Sequence, residues 1–464
     1  MEINEKGITL IALVVTIIVL IILAGASISM ISGENGILRR AVEAKEKAEL
    51  SQNQEKIDFR ELEDNIEDDT KNFDIEKVMD ENPGELEVDT TDNNILIINS
   101  IEDLVAFSYN VNNGNTYEGK TIKLSKDLDF GSNKSYVNPY RKDYSNYGYE
   151  DELKTELVET KGFKPIGNYQ NPFKGTFDGN NKKIRNVFIK ATNYTGFFGV
   201  VEDATIKNLN ISGKTDTNNQ REITAGIVAR ISSGTNTIQN CICKINTFGR
   251  LHTGGIVGLL IKKENSELNV TINQCFNYAD IISNEYAAGG ICGVIGNMDN
   301  LNIINCGNEG NIDGYTAGGI IGTQMYSMKG KIEIFNCYNL GNMSGSYAAG
   351  GIIGQDDGSA DRKGFEIKNT YSIGKISGKG KIMGALAAIT SWNRPIIENC
   401  YWKEGTYEKA IFTNNVTSIE IPSSSEEEMK NITFLNKLNE NRQDGWNKWV
   451  QNSDRYPIIE KNQS

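Results

Sequence analysis

Apolar and polar positions alternate in short bursts through the middle of the chain, and the bursts repeat. Ile332 to Gln355 reads IEIFNCYNLGNMSGSYAAGGIIGQ, Leu301 to Gln324 reads LNIINCGNEGNIDGYTAGGIIGTQ, and Val270 to Gly293 reads VTINQCFNYADIISNEYAAGGICG. Cys275, Cys306 and Cys337 recur at intervals of 31 residues, a period that marks a repeat architecture. Each unit carries three apolar runs, in one case Ile332 to Cys337, Asn342 to Gly345 and Gly350 to Ile353, all too short for helices. The period-2 alternation of Ile332 with Ile334, and of Val270 with Ile272, predicts strands with one buried face. The Asn and Gly between runs suit corners with positive φ. Three strands and three corners make one coil of a parallel β-helix, paired with the coils above and below at roughly 4.8 Å. The expected fold is mainly β, a right-handed parallel β-helix, with a long α-helix before it.

Stacking like on like accounts for the cysteines without chemistry. Cys241, Cys275, Cys306, Cys337 and Cys400 each follow Asn or Gln, and Asn369 with Thr370 keeps the place in the coil that lacks Cys. This predicts an Asn ladder at a corner beside a Cys ladder. In-register Cβ vectors run parallel and leave the sulfurs poorly aimed for a disulfide, so reduced, buried thiols are expected. The total of seven is odd, so at least one is free. Cys241 and Cys243 form the one close pair in the ladder, without a second pair to complete a thiolate metal site.

At 464 residues the chain has room for more than one domain, but it is lean in apolar content at 38%. Gly at 46 against Pro at 7 fits many tight strand corners. A net charge of −13 argues against nucleic acid as a partner. A single His leaves little room for metal or triad chemistry, and no cofactor is expected.

The ends of the chain are different in kind. Residues 1–7 form a polar leader, and residues 8–31 form an uncharged run long enough to span a bilayer as a transmembrane helix. Residues 32–75 continue as a solvated helical extension rich in Ala, Glu and Lys, and residues 76–94 loosen into a linker. The solenoid is expected over 95–415. Ser100 and Asp103 are placed as cap and capping acid of a helix whose Leu104, Phe107 and Val111 share a face. Between 131 and 162 an insertion crowds Tyr136, Tyr140, Tyr144, Tyr147 and Tyr149 among Asn and Asp. These rings either fasten the insertion to the solenoid's side or stack on a sugar or protein partner, which makes them candidate ligand contacts. Residues 416–464 are expected to cap the far end, with Ser425 and Glu428 as a capping box and Met429, Ile432, Leu435 and Leu438 as an apolar stripe.

Lys6-Gly7 followed by Ile8-Thr9-Leu10-Ile11 resembles the processing site of type IV prepilins and pseudopilins. That resemblance implies cleavage after Gly7 by a prepilin peptidase, N-methylation of Ile8, and packing of the apolar helix with other pilin-like subunits. Ala12 stands where that family carries an acidic residue, which points to a minor or initiating position. A plain uncleaved membrane anchor is the alternative. Farther on, Phe163-Lys164-Pro165-Ile166-Gly167, Phe173-Lys174-Gly175-Thr176-Phe177-Asp178-Gly179-Asn180 and the Gly-Gly-Ile segments at Gly254, Gly289, Gly318 and Gly350 resemble bacterial surface proteins carrying the so-called GLUG repeat. That resemblance implies a surface protein, and the pilin-type pattern implies a single pass with the bulk of the chain outside the membrane.

Two function classes remain. The first is a membrane-anchored or filament-incorporated surface protein, not an enzyme, displaying a β-helix head for adhesion to a glycan or protein. The second is a membrane-anchored lyase or glycosidase acting on polysaccharide, which needs clustered carboxylates on one face. Asp356-Asp357 is the best acidic pair and Asp178-Gly179-Asn180 the best turn for calcium, yet both read more readily as solvated corners, and His252 as a corner residue.

Overall fold

The structure is a computed structural model that describes residues 85–131, 162–191, 193–216, 223–325, 330–358, 364–390, 395–413 and 420–461. The apolar run at 8–31 and the helical extension lie outside these residues. Among the described residues no helix is long and apolar enough to cross a membrane.

One coil shows how the sequence builds the solenoid. Strand Lys331–Phe335 is followed by a corner at Asn336, a short strand Tyr338–Asn339, a long strand Met343–Gly350, and strand Ile353–Asp356. Each pairs in parallel with its equivalent in the next coil: Ile332 with Phe365, Tyr338 with Tyr371, Ala349 with Met383, Ile353 with Ala387. One sheet stacks eight such strands, from Phe198–Val201 to Ile411–Thr413. Inward-facing residues such as Ile272, Ile303, Ile334 and Ile367 pack against Cys292, Ile321 and Ile353 in one continuous core.

The expected third strand, Gly350 to Ile353, is corrected. Gly350 ends one strand and Ile353 begins another, so the Gly-Gly-Ile segment is the corner itself. The reason is steric: a Cβ on Gly319 would lie 2.2 Å from the carbonyl oxygen of Gly351 and 2.4 Å from Cγ of Asn339.

The Asn corners take the conformation that the pattern predicts. Asn240, Gln274, Asn305, Asn336, Asn369 and Asn399 all have φ between 48° and 56°, a region that Asn tolerates better than most residues. Their amides join the coils: Asn336 Nδ2 donates to Asn305 Oδ1 at 2.8 Å, and Asn369 Nδ2 to Asn336 Oδ1 at 2.8 Å. A second ladder, not foreseen, runs two residues past the cysteines. In it Asn277 donates to Asn308 and Asn308 to Asn339, each at 2.7 Å.

All seven cysteines are buried and free. Cys241 stacks on Cys275 in register. Each ladder thiol turns back to a nearby carbonyl, as Cys337 Sγ does to Phe335 O at 3.1 Å. Burial pushes Cys243 and Cys400 up to about 12 and raises Cys275 and Cys337 far above the usual thiol range.

Helix Ile101–Asn112 forms as expected, with Ser100 Oγ accepting from the Asp103 N–H at 3.1 Å. It buries Phe107 against Phe173 and Tyr117 at ring separations of 5.4 and 5.3 Å. Ahead of it, Glu87–Val88 pairs antiparallel with Ile95–Ile98, and Leu86 joins the core.

The C-terminal segment departs from expectation. Ile421 accepts from the Trp402 indole at 2.8 Å and packs at the last coil. After Ser425, which does form its capping box with Glu428, the chain runs back along the flank instead of lying across the end. Two helices, Glu426–Met429 and Ile432–Glu440, replace the single stripe. Ile432 is 55% exposed, and Phe434 is buried in its stead with Met429 and Leu438. The cause is a column of outward aromatics, Phe276, Tyr338, Tyr371 and Tyr401, which this segment covers with Phe434, Trp449 and Tyr456. It also binds the Asn ladder: Trp449 Nε1 donates to Asn336 Oδ1 at 2.6 Å, the Asn447 N–H to Asn305 Oδ1 at 2.8 Å, and Asn369 Nδ2 to Leu438 O at 3.0 Å.

Asn336 is thus a buried corner held by a coil on each side and by the C-terminal segment. Asn336→Ala is expected to lower unfolding stability by about 2–4 kcal/mol, through the lost bonds and the strained φ. Asn300→Ala removes an exposed amide bond to Asn269 and is expected to cost no more than about 0.5 kcal/mol. Urea unfolding of the full chain in detergent compares them, and equal losses would contradict the ladder's role.

Candidate functional site

The residues singled out by sequence fall in three places. Gly7, Ile8 and Tyr136, Tyr140, Tyr144, Tyr147 and Tyr149 lie outside the described residues. Asp178 is in the solenoid, but protein groups occupy its carboxylate. Oδ1 accepts from the Asn180 N–H at 2.8 Å and Asn208 Nδ2 at 2.9 Å, and Oδ2 pairs with Lys207 at 3.4 Å. Asp356 is fully buried at the end of its strand, and the Asp357 carboxylate accepts from the Thr390 hydroxyl at 3.2 Å. Among the described residues no group of three or more His, Cys, Asp or Glu is placed to hold a metal.

Carboxylates on the outer face of the long sheet are spent on lysines. Lys331 reaches Glu333 at 2.5 Å and Glu366 at 3.3 Å, and Lys368 reaches Glu366 at 3.1 Å and Glu398 at 3.3 Å. Burial would raise Glu366, but hydrogen bonds from Lys368 and Lys331 outweigh it and hold its pKa below the ordinary range. An acid kept ionised in this way is poorly suited to donate a proton.

A different flank brings together side chains that no carboxylate motif announces. Strand register sets Tyr194, Ile223, His252, Ala287, Thr316 and Ala348 in one column. Opposite stands Arg230, Leu259, Val294, Thr323 and Gln355. The apolar middle of these walls closes on itself through Leu259, Ala287 and Val294.

Along the rim runs a row of aromatic rings. Tyr169 and Tyr194 stack at 6.5 Å, His252 meets Tyr286 edge-on at 5.4 Å, Tyr286 stacks on Tyr315 at 6.4 Å, and Tyr315 on Tyr347 at 4.8 Å with planes 1° apart. Tyr169, Tyr315 and Tyr347 are 42%, 39% and 37% exposed. Ile382 pairs with Ala348, so Lys381, which is exposed, follows Tyr347 in the row.

Cations gather at the other end. The Arg230 guanidinium lies 5.2 Å from the Tyr169 ring centroid and 5.9 Å from that of Tyr194, with Lys263 Nζ 5.0 Å from Tyr169. Lys263 is paired with Glu202, which also accepts from Ser232 Oγ at 2.9 Å. Burial works to raise Glu202, and those two partners hold it down. Arg230 Nε, His252 Nδ1 and Thr316 Oγ1 are buried and find no hydrogen-bond partner among the described residues. His252 sits within strand His252–Gly254 and not at a corner, which corrects its expected place. Burial, with the nearby Arg230 charge, pushes it down to about 4.

This row has a sequence signal. Tyr286, Tyr315 and Tyr347 each stand three residues before the first Gly of a Gly-Gly-Ile segment. In stacked coils, equal offset means one above the other.

No family model matches this chain, and no curated protein matches it. A solved structure from Bacteroides ovatus, named as that of a "putative immunoglobulin A1 protease", resembles it with a TM-score of 0.45 and 19% identity, over 79% of this chain and 92% of that one. Likeness at this level carries no argument about activity, substrate or partner.

His252 is the chain's one histidine, so its titration is read without overlap. With the folded pKa near 4 and the unfolded near 6.5, the unfolded chain takes up the proton first as pH falls. Stability is expected to be flat above about pH 6.5 and to fall by up to about 3 kcal/mol toward pH 4. His252→Asn should remove that part of the slope in urea unfolding. A folded-state NMR titration midpoint near 6.5 would contradict the buried neutral ring.

Proposed function

We propose that this chain is a cell-surface protein of pilin or pseudopilin type, anchored in the membrane or built into a filament, whose solenoid presents its flank for adhesion. The observation that carries the binding role is the exposed row from Tyr169 to Tyr347 on a rigid scaffold. A rigid surface binds without first ordering itself, which leaves more of each contact for affinity. The acids of the solenoid support the same reading, because Asp178, Glu202 and Glu366 are each engaged by lysine. Anchoring rests on the N-terminal sequence alone, where Lys6-Gly7 precedes the uncharged run at 8–31.

Mass spectrometry of protein isolated from cells that carry the peptidase tests the anchor. The expected N-terminal residue is Ile8 bearing a methyl group, and Gly7→Arg is expected to leave the full-length precursor. A mature protein that keeps Met1 in such cells would overturn the pilin-type assignment and leave an uncleaved anchor.

A further inference from the structure

The cationic end of the row has an unmet requirement. Among the described residues no carboxylate lies within ion-pair distance of Arg230, although the chain carries a net charge of −13. Glu202, the acid that serves this cluster, is occupied by Lys263 and Ser232. Arg230 is half-buried against two stacked tyrosine rings, its Nε is enclosed and finds no partner among the described residues, and the adjacent His252 is held neutral. A charge withdrawn from water without a counter-ion is costly, and the planar guanidinium fork matches a carboxylate or a sulfate.

We propose that Arg230 receives the acidic group of a glycan chain, which lies parallel to the coil axis along Tyr286, Tyr315 and Tyr347 toward Lys381. This rests on the surface-binding reading above and gives it a ligand class. The stacked rings cover one another's faces, so ring edge and hydroxyl are what the row offers. That suits a hydroxyl-rich chain better than an apolar peptide. Coils repeat at about 4.8 Å, and a sugar unit linked through opposite ring positions advances its polymer by a similar step, so successive units meet successive tyrosines. Nucleic acid fits poorly, since each phosphate asks for a cation and the cation in the middle of this row, Arg250, is paired with Glu285 next to Tyr286.

Binding is measured with the purified full chain in detergent against polygalacturonate, a sulfated glycan, a neutral β-glucan and monomeric galacturonate. An acidic polymer is expected to bind at least about tenfold more tightly than the neutral one and than the monomer. Arg230→Gln should lose at least about tenfold for that polymer, and Arg230→Lys should retain more of the affinity. Tyr315→Ser with Tyr347→Ser should weaken the polymer and spare the monomer. Circular dichroism and protection of the seven thiols establish that each variant is folded. Preference for the sulfated over the carboxylated polymer, with the same loss in Arg230→Gln, supports the anion site and identifies its group. Equal binding of neutral and acidic polymers, or a folded Arg230→Gln that binds like the parent, overturns the proposal. A chain that keeps Met1 yet binds acidic polymer overturns the pilin-type reading alone. A chain processed to Ile8 that ignores every acidic polymer overturns this one alone.

Discussion

The structure depends on a corner that one coil cannot satisfy by itself. Asn305, Asn336 and Asn369 hold left-handed backbone and are fully buried, where an amide without partners costs on the order of a kcal/mol or more. Their partners are the equivalent amides of the neighbouring coils. A slip of one residue would strand these amides and turn every inward Ile outward. The ladder therefore fixes register, and register sets everything arranged along the axis. That includes the cysteine stack, the Gly-Gly corners and the aromatic columns.

Two such columns have opposite fates. Phe276, Tyr338, Tyr371 and Tyr401 are sealed by the returning C-terminal segment, which fastens itself to the same Asn ladder through Trp449 and Asn447. Tyr286, Tyr315 and Tyr347 stay part-exposed, with no such segment over them among the described residues. One flank is thereby committed to stability and the other left to face solvent, with Arg230 at one end and Lys381 at the other. At the cationic end of that row Glu202 pairs with Lys263, and beside Tyr286 Glu285 pairs with Arg250. Farther along the surface Glu333, Glu366 and Glu398 pair with Lys331 and Lys368.

The solenoid was legible because a stacked repeat writes its geometry into the sequence as a constant interval. Equal spacing of Cys275, Cys306 and Cys337 was enough to predict neighbours in space, and the Asn before them to predict the corner. Reading the Gly-Gly-Ile segments as strands failed because apolar content does not reveal that a neighbouring carbonyl will lie where a Cβ would be. The path of residues 426–460 was not legible either. It is decided by what must be covered, and the aromatics at 276, 338, 371 and 401, each directly after the Cys or Thr of its coil, were the signal for it. The row of Tyr286, Tyr315 and Tyr347 is hard to see in the sequence for a related reason: its tyrosines are far apart along the chain, and only their equal offset from the Gly-Gly-Ile segments brings them together.

Register makes a distance prediction across the whole stack. Thr176, Thr205, Thr237, Thr271, Asn302 and Glu333 lie one above another on successive coils. Spin labels at Thr176→Cys and Glu333→Cys, with the seven native thiols buried and unreactive, give the separation by double electron–electron resonance. Five steps at about 4.8 Å place the two Cα atoms roughly 24 Å apart with a narrow distribution. A broad distribution, or a mean beyond roughly 35 Å once the reach of the labels is allowed for, would contradict the in-register stack.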